Sequence, residues 1–365
     1  MTERLTIKNF GPIKEMTFEF RVINIFIGDQ STGKSTVAKL LMVIKGVLIN
    51  GDINNKSLKS DWNLIHFKDE LEIQGITNYL QKGSIIMFSD SSADFKYENQ
   101  KITIIPKENK EKNTQIGGFI PSYREAVILL KNSINALAGL KVPITKWFFF
   151  FGQRLLNAKL AKGLYDYTQI LDVKYKYIKD EDIIILKNGK EIKMEEASGA
   201  VNSGIPMFLV FDSIVESMHT TPNRKYSNKN RPYIIIEEPE LNCFPTTQKK
   251  IMEYFISKIK YEVGLDYYCG IVITTHSPYI LTSLNNLMYA NEVGQKEATE
   301  ANKIIDKKYW INADDVSAYM LLTNGTCEDI LDREENLIKA EKIDGVSRVL
   351  NEEFEKLSNL EFARV

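Results

Sequence analysis

The amino-acid sequence predicts an α/β fold in which helices cover a sheet of parallel strands. Residues 22–27 are apolar except for Asn24, and residues 233–236 and 271–274 form unbroken runs of β-branched and aromatic residues. Such runs are typical of central parallel strands buried on both faces. The first run leads into a glycine-containing turn at residues 28–35, and apolar residues at helical spacing predict a helix directly after it. A strand, a turn and a helix N-terminus in this order point backbone N–H groups and the positive end of the helix dipole at an anion.

The turn matches the phosphate-binding pattern of two glycines, separated by four residues, followed by a lysine and a hydroxyl residue. We therefore predict a bound nucleoside triphosphate, with Lys34 on the β- and γ-phosphates and Ser35 on Mg²⁺. An ordinary turn between a strand and a helix is the alternative. The predicted nucleotide-binding residues of this loop are Gly28, Asp29, Gln30, Ser31, Thr32, Gly33, Lys34, Ser35 and Thr36.

Length, charge and cysteine usage narrow the class of protein. The chain has 365 residues and a formal net charge of −1, so binding to nucleic acid or to an acidic membrane would need a local patch. Cys243, Cys269 and Cys327 are widely spaced and form no CxxC pair, which suits a reducing cytosol. The N-terminus lacks the apolar core of a signal peptide, and no apolar run reaches the roughly 20 residues of a membrane helix. We expect a soluble, cytoplasmic protein.

The remaining periodicities predict the elements around the central strands. Alternating apolar and polar residues predict a hairpin over residues 4–20 with a turn at residues 9–12. Asn188-Gly189 predicts a type I′ hairpin turn, because both residues accept a positive φ. A helix is predicted over residues 205–216, with Pro206 in its first turn. Further strands are predicted at residues 84–89, 94–98, 101–105, 173–177 and 182–186.

Two apolar segments have more than one interpretation. Residues 147–151 are one tryptophan and four phenylalanines; we interpret them as core, with a partner surface as the alternative. Near the C-terminus, apolar residues at helical spacing predict a stripe that packs on the rest of the protein or on a second subunit. That stripe consists of Ile343, Val346, Leu350, Phe354 and Leu357.

Two strand ends later in the chain carry groups suited to phosphate chemistry. The run at residues 234–236 ends in Glu237 and Glu238, and the run at residues 271–274 precedes His276. Strand ends at the carboxyl edge of such a sheet face the ligand crevice. We therefore predict that Glu237 holds Mg²⁺ and that Glu238 polarises the attacking water, since adjacent buried carboxylates are costly without a balancing charge or metal. His276 fits a γ-phosphate sensor, and a satisfied histidine at a strand end is its alternative.

Together these motifs resemble ABC-type ATPases of the branch that contains RecF, the SMC proteins and the overcoming-lysogenization-defect (OLD) family. The resemblance is carried by the hairpin at residues 5–20, the phosphate loop, residues 237–240 and residues 274–278. Residues 119–124 also look like a recurrent segment of the smaller OLD-like ATPases. The resemblance implies a P-loop NTPase fold with an ABC-ATPase-like mixed sheet, an N-terminal antiparallel β layer and a helical insertion.

The resemblance also implies a site completed by a second subunit. Ala197-Ser198-Gly199 stands where the ABC signature would be, so Ser198 and Gly199 are expected to contact the γ-phosphate bound by the other subunit. Residues 240–242 correspond to the D-loop, and Asn242 is expected among the nucleotide contacts. Lys34, Glu238 and His276 would be the catalytic residues, and ATP and Mg²⁺ the bound groups.

The sequence departs from the family's pattern at several points. The signature is abbreviated, the first Walker B acid is Glu237 rather than Asp, and Gln115 is the candidate for the Q-loop. There is no long coiled coil, which excludes a DNA-tethering SMC architecture. The segment after His276 is too short for the Toprim nuclease of full OLD proteins. We interpret Asp314-Asp315 as a turn or a helix start.

These observations predict one ATPase domain over residues 1–365, with a helical insertion at about residues 124–170 and a C-terminal helical extension at about residues 313–365. Two subunits are expected to trap ATP between them as a molecular switch, in a homodimer or a higher homo-oligomer. Compact OLD-like ATPases resemble the sensor subunits of bacterial antiphage systems. We therefore expect an antiphage-defence or DNA-processing ATPase that acts with a separately encoded nuclease or toxin. We do not expect a membrane among its partners.

Two other functions and one further partner are open at this stage. The chain could be the nucleotide-binding subunit of a transporter, or a scaffold that binds ATP without hydrolysing it. DNA is a candidate partner, and a solvated charged loop is the alternative interpretation of the residues concerned. Those residues are Arg224, Lys225, Lys229 and Arg231.

Overall fold

The computed structural model describes residues 3–50, 60–107, 117–129, 146–219, 232–260, 267, 269–339 and 351–357. Within these ranges no helix combines the length and the apolar character needed to cross a membrane. Several predicted features lie outside the described residues. They are the Q-loop candidate Gln115, the DNA-contact candidates Arg224, Lys225, Lys229 and Arg231, and the stripe residues Ile343, Val346 and Leu350.

The described residues form the following strands and helices. The strands are β1 Glu3–Phe10, β2 Ile13–Phe20, β3 Ile23–Gly28, β4 Leu80–Ser89, β5 Ala93–Glu98, β6 Lys101–Pro106, β7 Gly118–Ile120, β8 Tyr165–Tyr167, β9 Val173–Ile178, β10 Glu181–Leu186, β11 Glu191–Lys193, β12 Tyr233–Glu237, β13 Gly270–Thr275, β14 Val316–Leu321, β15 Cys327–Asp329, β16 Leu331–Asp332 and β17 Leu337–Ile338. The α-helices are α1 Lys34–Asn50, α2 Ser60–Ile73, α3 Glu125–Leu129, α4 Lys146–Ala161, α5 Thr168–Leu171, α6 Gly199–His219, α7 Pro245–Ile259, α8 Pro278–Gly294 and α9 Ala298–Ile304. Residues 351–357 are also helical.

A mixed sheet lies at the centre of the fold, with its strands in the order β15-β14-β3-β13-β12-β7. Strands β14, β3, β13, β12 and β7 run parallel, and β15 is antiparallel to β14. Every residue of β12 and β13 is buried. Ile234 and Ile236 pack on the side of α6, α7 and α8, whereas Ile235 packs on the side of α1. The predicted α/β fold class, with central strands covered on both faces, is confirmed.

The predicted N-terminal hairpin belongs to a five-stranded antiparallel sheet in the order β2-β1-β4-β5-β6. Its turn uses Gly11 at a φ of +54°, and the Gly11 N–H donates to the Tyr79 carbonyl over 2.9 Å. Lys45 of α1 is buried and forms a 2.8 Å ion pair with Glu3 at the start of β1. The layer is thereby tied to the helix that follows the phosphate loop.

A third sheet, in the order β11-β10-β9-β8, contains the predicted hairpin at Asn188-Gly189. The turn type predicted there was wrong. Of these two residues, only Gly189 has a positive φ, of +82°, and its N–H donates to the Leu186 carbonyl over 2.8 Å. The Asn188 side chain instead accepts from the Lys190 N–H over 3.0 Å. A three-residue loop with a glycine bulge therefore replaces the two-residue type I′ turn.

The helix predicted over residues 205–216 begins earlier, at Gly199. The Ser198 carbonyl accepts from the N–H groups of Val201 and Asn202, which starts the helix directly after Ser198. Pro206 therefore lies inside α6 rather than in its first turn. The proline had suggested a helix start because an interior proline removes a backbone donor, which is normally unfavourable.

The helical insertion is interrupted by a strand. Helix α4 ends at Ala161, and β8 follows and pairs with β9, so the helical prediction to about residue 170 was wrong over β8. Tyr165 and Tyr167 of β8 are buried and their rings stack, as suits aromatic residues in a strand. In the aromatic run, Phe151 is buried but Phe150 is 52% exposed, because consecutive residues of a helix face different directions.

The C-terminal extension predicted as helical contains strands β14 to β17. Strand β14 pairs in parallel with β3 and is buried along most of its length, because its apolar sequence completes the central sheet. Asp314 and Asp315 lie in a short turn whose N-cap is the Asn312 side chain, which agrees with the turn interpretation. Phe354 and Leu357 are 72% and 67% exposed, so the described part of this chain does not cover these two stripe residues. The alternative, packing on a second subunit, stays a prediction.

Candidate functional site

The candidate site lies at the carboxyl edge of the central sheet. Strands β3, β13 and β12 are parallel neighbours, so the segments that follow them meet at one edge. The phosphate loop follows β3, the Glu237–Glu238 pair closes β12, and His276 follows β13. The topology alone thus brings together three motifs that are distant in sequence.

The phosphate loop has the backbone of an anion-binding turn. Gly28, Ser31 and Gly33 have φ values of +151°, +62° and +100°. Helix α1 begins at Lys34, and its first turn directs free N–H groups back into the loop. The Thr32 hydroxyl donates to the Asp29 carbonyl over 2.9 Å, which closes the loop internally.

Lys34 points into this loop. Its Nζ donates to the carbonyl oxygens of Gly28 and Asp29 over 2.8 and 2.7 Å. Burial lowers the pKa of the Lys34 ammonium, while the nearby carboxylates of Glu238, Asp29 and Glu240 act in the opposite direction. A phosphate in the loop would favour the charged form of Lys34 further.

Gly28 has no room for a side chain. A Cβ there would lie 2.3 Å from the Leu321 carbonyl oxygen of β14. We expect Gly28→Ala to lower the free energy of unfolding by more than the about 1–2 kcal/mol of left-handed strain alone, because the β14 backbone must also move. Urea denaturation of the wild type, Gly28→Ala and Gly189→Ala measures the loss in the free energy of unfolding that each substitution causes. Gly189 also has a positive φ, but a Cβ at that position would meet nothing within 4 Å, so equal losses in the two variants would contradict the steric argument.

Glu237 and Glu238 differ in their surroundings. Glu237 is 3% exposed; its Oε2 accepts from the Ser122 N–H over 3.3 Å, and its Oε1 is buried with no hydrogen-bond partner among the described residues. Glu238 adopts a φ of +44° and donates its N–H to the Thr274 carbonyl over 2.8 Å. Its side chain is 33% exposed. The Glu237 carboxylate is therefore buried at the sheet edge, and the Glu238 carboxylate is partly exposed.

His276 lies beside Glu238, with 3.9 Å between Nε2 and Oε1. Glu240 connects the two strand ends, since its Oε1 accepts from the Thr275 hydroxyl over 2.7 Å and from the His276 N–H over 2.8 Å. Sequence reasoning assigned Glu240 only to the D-loop, and its bridging role depends on the parallel pairing of β12 with β13. The structure thus joins Lys34, Glu238 and His276 into one group.

The signature and D-loop candidates form a second group. Ser198 and Gly199 are exposed at the N-terminus of α6, and the Asn242 side chain lies 3.4 Å from a Cβ built at Gly199. Asn242 has a φ of +60°, and its Nδ2 donates to Glu125 Oε1 over 2.7 Å. The predicted second set of nucleotide contacts is therefore a surface feature of this chain.

The residues present fit a nucleotide with Mg²⁺. Glu237 offers a buried carboxylate oxygen with no described partner, and Ser35 is a half-buried hydroxyl residue at the start of α1. Hydroxyl and carboxylate oxygens are ligands that Mg²⁺ prefers, together with substrate phosphates and water. The positive-φ backbone of the loop leads directly into α1, whose first N–H groups are available to phosphate oxygens.

Fold and site together define an α/β protein with a phosphate loop and a paired-carboxylate strand end. Residues 153–281 match the family model of an AAA ATPase domain, a segment that includes Glu237, Glu238 and His276 but not the phosphate loop. Comparison with curated proteins gives no match. The match to the AAA ATPase domain agrees with the predicted ATPase class. The OLD-like subgroup stays a prediction.

Among solved structures, the chain is similar to an SMC head domain from Thermotoga maritima, with 11% identity, a TM-score of 0.40 and coverage of 77% of this chain and 91% of that one. It is also similar to the Smc head domain with an extended coiled coil bound to the C-terminal domain of ScpA, from Pyrococcus furiosus, with 10% identity, a TM-score of 0.44 and coverage of 95% and 99%. The recombination mediator RecF with ATPrS matches with 10% identity, a TM-score of 0.40 and coverage of 90% and 98%.

Proposed function

We propose that this protein binds ATP and hydrolyses it with Mg²⁺, as a switch whose two states differ in subunit association. The observation that carries the proposal is the convergence of Lys34, Glu238 and His276 at one sheet edge, with a 3.9 Å approach of His276 to Glu238. The similarity of residues 153–281 to an AAA ATPase domain supports the same activity.

The proposed reaction is attack of water on the γ-phosphorus of ATP. Glu238, partly exposed to the crevice, orients the water and accepts its proton as the new P–O bond forms. The bond from the γ-phosphorus to the bridging oxygen breaks, and ADP leaves with that oxygen. Lys34 and the loop N–H groups balance the charge on the phosphates, while His276 contacts the γ-phosphate. Mg²⁺, held by Ser35 and Glu237, would neutralise phosphate charge.

A second subunit would complete the site. Ser198 and Gly199 are exposed at the start of a long helix, where free N–H groups and the helix dipole favour a phosphate. We propose that this helix start contacts the γ-phosphate in the phosphate loop of the partner subunit. Binding of ATP would then hold two subunits together, and hydrolysis would release them.

The test is Mg²⁺-dependent phosphate release from ATP by the purified protein, together with its mass in solution with and without ATP. We expect turnover and an ATP-dependent dimer, both lost in Lys34→Ala. Lys68→Ala, on the exposed side of α2, is the matched control and should behave like the wild type. A wild-type protein without turnover, with ATP still bound after purification, would favour the scaffold alternative.

The cellular role we propose is that of an ATPase subunit in antiphage defence or DNA processing, working with a separately encoded effector. It rests on the resemblance of residues 119–124 to the smaller OLD-like ATPases. A nuclease or toxin gene next to this one, and loss of protection against phage when Lys34 is replaced, are the expected results. Protection that survives Lys34→Ala would contradict it.

A further inference from the structure

Arg124 lies at the centre of the site although no sequence motif assigned it a role. It is fully buried, at 0% exposed, and is the last residue of the turn that connects β7 to α3. An arginine has five N–H donors in a rigid plane, and here each has an acceptor. Nε donates to the Ser203 carbonyl over 2.9 Å. Nη1 donates to the carbonyls of Pro121 and Glu237 over 3.1 and 2.9 Å. Nη2 donates to the Ser203 hydroxyl and the Glu238 carbonyl, both over 2.9 Å.

These acceptors are four backbone carbonyls and one hydroxyl, and none is a carboxylate. A buried guanidinium is costly unless it is paired and fully hydrogen-bonded. Burial lowers the pKa of Arg124 to about 10, with Cys243, Glu240 and other nearby groups opposing the shift, so the side chain stays charged near neutral pH. Such a group fixes the positions of the carbonyls around it.

The carbonyls of Glu237 and Glu238 are consecutive and belong to the turn that carries the two carboxylates. Glu238 has a φ of +44°, a backbone conformation that is unfavourable for a residue with a side chain. Arg124 binds the carbonyls on both sides of that strained residue. It therefore holds the turn from which the Glu238 carboxylate projects.

The same guanidinium binds α6, the helix that begins at Gly199. Both acceptors from this helix are on Ser203, which is fully buried. Arg124 thus joins the carboxylate turn to the helix whose first residue is the signature candidate.

The residues on either side of Arg124 extend this connection. The Ser122 N–H donates to Glu237 Oε2 over 3.3 Å, and Glu125 accepts from Asn242 of the D-loop candidate over 2.7 Å. Residues 122–125 therefore contact the metal-ligand candidate Glu237, the turn that carries the two carboxylates, α6 and the D-loop candidate.

We propose that Arg124 is a positioning residue: it sets the orientation of Glu238 relative to α6 and couples the nucleotide in the phosphate loop to the surface that meets the partner subunit. This inference rests on the proposed ATPase function. Arg124 does not contact the substrate, and it acts through the backbone of Glu237 and Glu238.

The test compares the Kd for Mg-ATP, kcat, and ATP-dependent dimerisation of the wild type with those of Arg124→Lys. Lysine keeps the charge but offers three donors from a single point, so it cannot hold the carboxylate turn and Ser203 together. We expect kcat to fall up to about 100-fold, as for small misplacements of catalytic groups. The Kd should change less than about 3-fold, because Arg124 does not contact the nucleotide. The ATP-dependent dimer should weaken.

Arg333→Lys is the matched control, because Arg333 also donates to two backbone carbonyls, those of Ala313 and Val316, at 3.4 Å. This control variant should leave kcat and dimerisation unchanged.

Ser203→Ala removes a single acceptor of Arg124 and replaces Arg124→Lys as the test variant if Arg124→Lys does not fold. It should lower kcat with an unchanged Kd. Wild-type kcat and dimerisation in both variants would overturn the proposal, as would parallel loss of binding and turnover. A wild type that dimerises on ATP without turnover would instead count against the ATPase function, and dimerisation of the variants then decides the role of Arg124.

Discussion

Replacement of Glu238 by glutamine is expected to slow ATP hydrolysis by about 10²- to 10⁴-fold, the usual contribution of a general base. The side chain keeps its size and one acceptor oxygen but can no longer take a proton from water. Its neighbour Glu237 is untouched, and the side chain of Glu238 is 33% exposed, so ATP binding should remain close to that of the wild type. Single-turnover phosphate release measures the chemical step.

The same variant should accumulate the ATP-bound dimer, because association would persist when turnover stops. Glu292→Gln, an exposed position on α8, is the control for the loss of one negative charge and should leave both quantities unchanged. Equal hydrolysis rates in the wild type and Glu238→Gln would defeat the assignment of Glu238 as the base. Loss of ATP binding in that variant would assign the residue to binding instead.

Much of the site was predictable because its motifs are local. The spacing of Gly28, Gly33 and Lys34 is a property of one turn, and Glu238 and His276 each come within three residues of the end of an apolar run. Since parallel strands share an edge, two local patterns and one topological rule were sufficient to expect the approach of His276 to Glu238.

The features that sequence reasoning missed depend on contacts between distant segments. Strand β14 was included in a helical extension, although its pairing with β3 completes the central sheet. Pro206 indicated a helix start, whereas α6 continues through it from Gly199. Arg124 lies in a turn, where an arginine is normally exposed. Only the meeting of β7, β12 and α6 surrounds it with acceptors. The resemblance of residues 119–124 to a family segment was the one signal that marked this position.

A second large effect is expected from a charged pair buried between α4 and β10, away from the candidate site. Lys159 Nζ lies 2.7 Å from Asp182 Oδ1, with side chains 6% and 1% exposed. The Tyr175 hydroxyl donates to the same oxygen over 2.6 Å. Burial and the charge of Asp182 raise the pKa of Tyr175, so this hydroxyl remains protonated and remains a donor.

Asp182→Asn should lower the free energy of unfolding by about 3–5 kcal/mol, because it removes the negative charge that lies 2.7 Å from the buried Lys159 ammonium. The asparagine still offers an oxygen to Tyr175, so the loss reports the charge. Adding Lys159→Met should recover part of the stability, since removing both charges of a buried pair is often neutral. Glu181→Gln, next in sequence and paired with Lys193 at 2.9 Å between exposed side chains, is the control and should change little. Urea denaturation of the four proteins measures these differences. An Asp182→Asn loss no larger than that of Glu181→Gln would mean that other groups around Lys159 balance its charge, and that the α4–β10 contact does not depend on this pair.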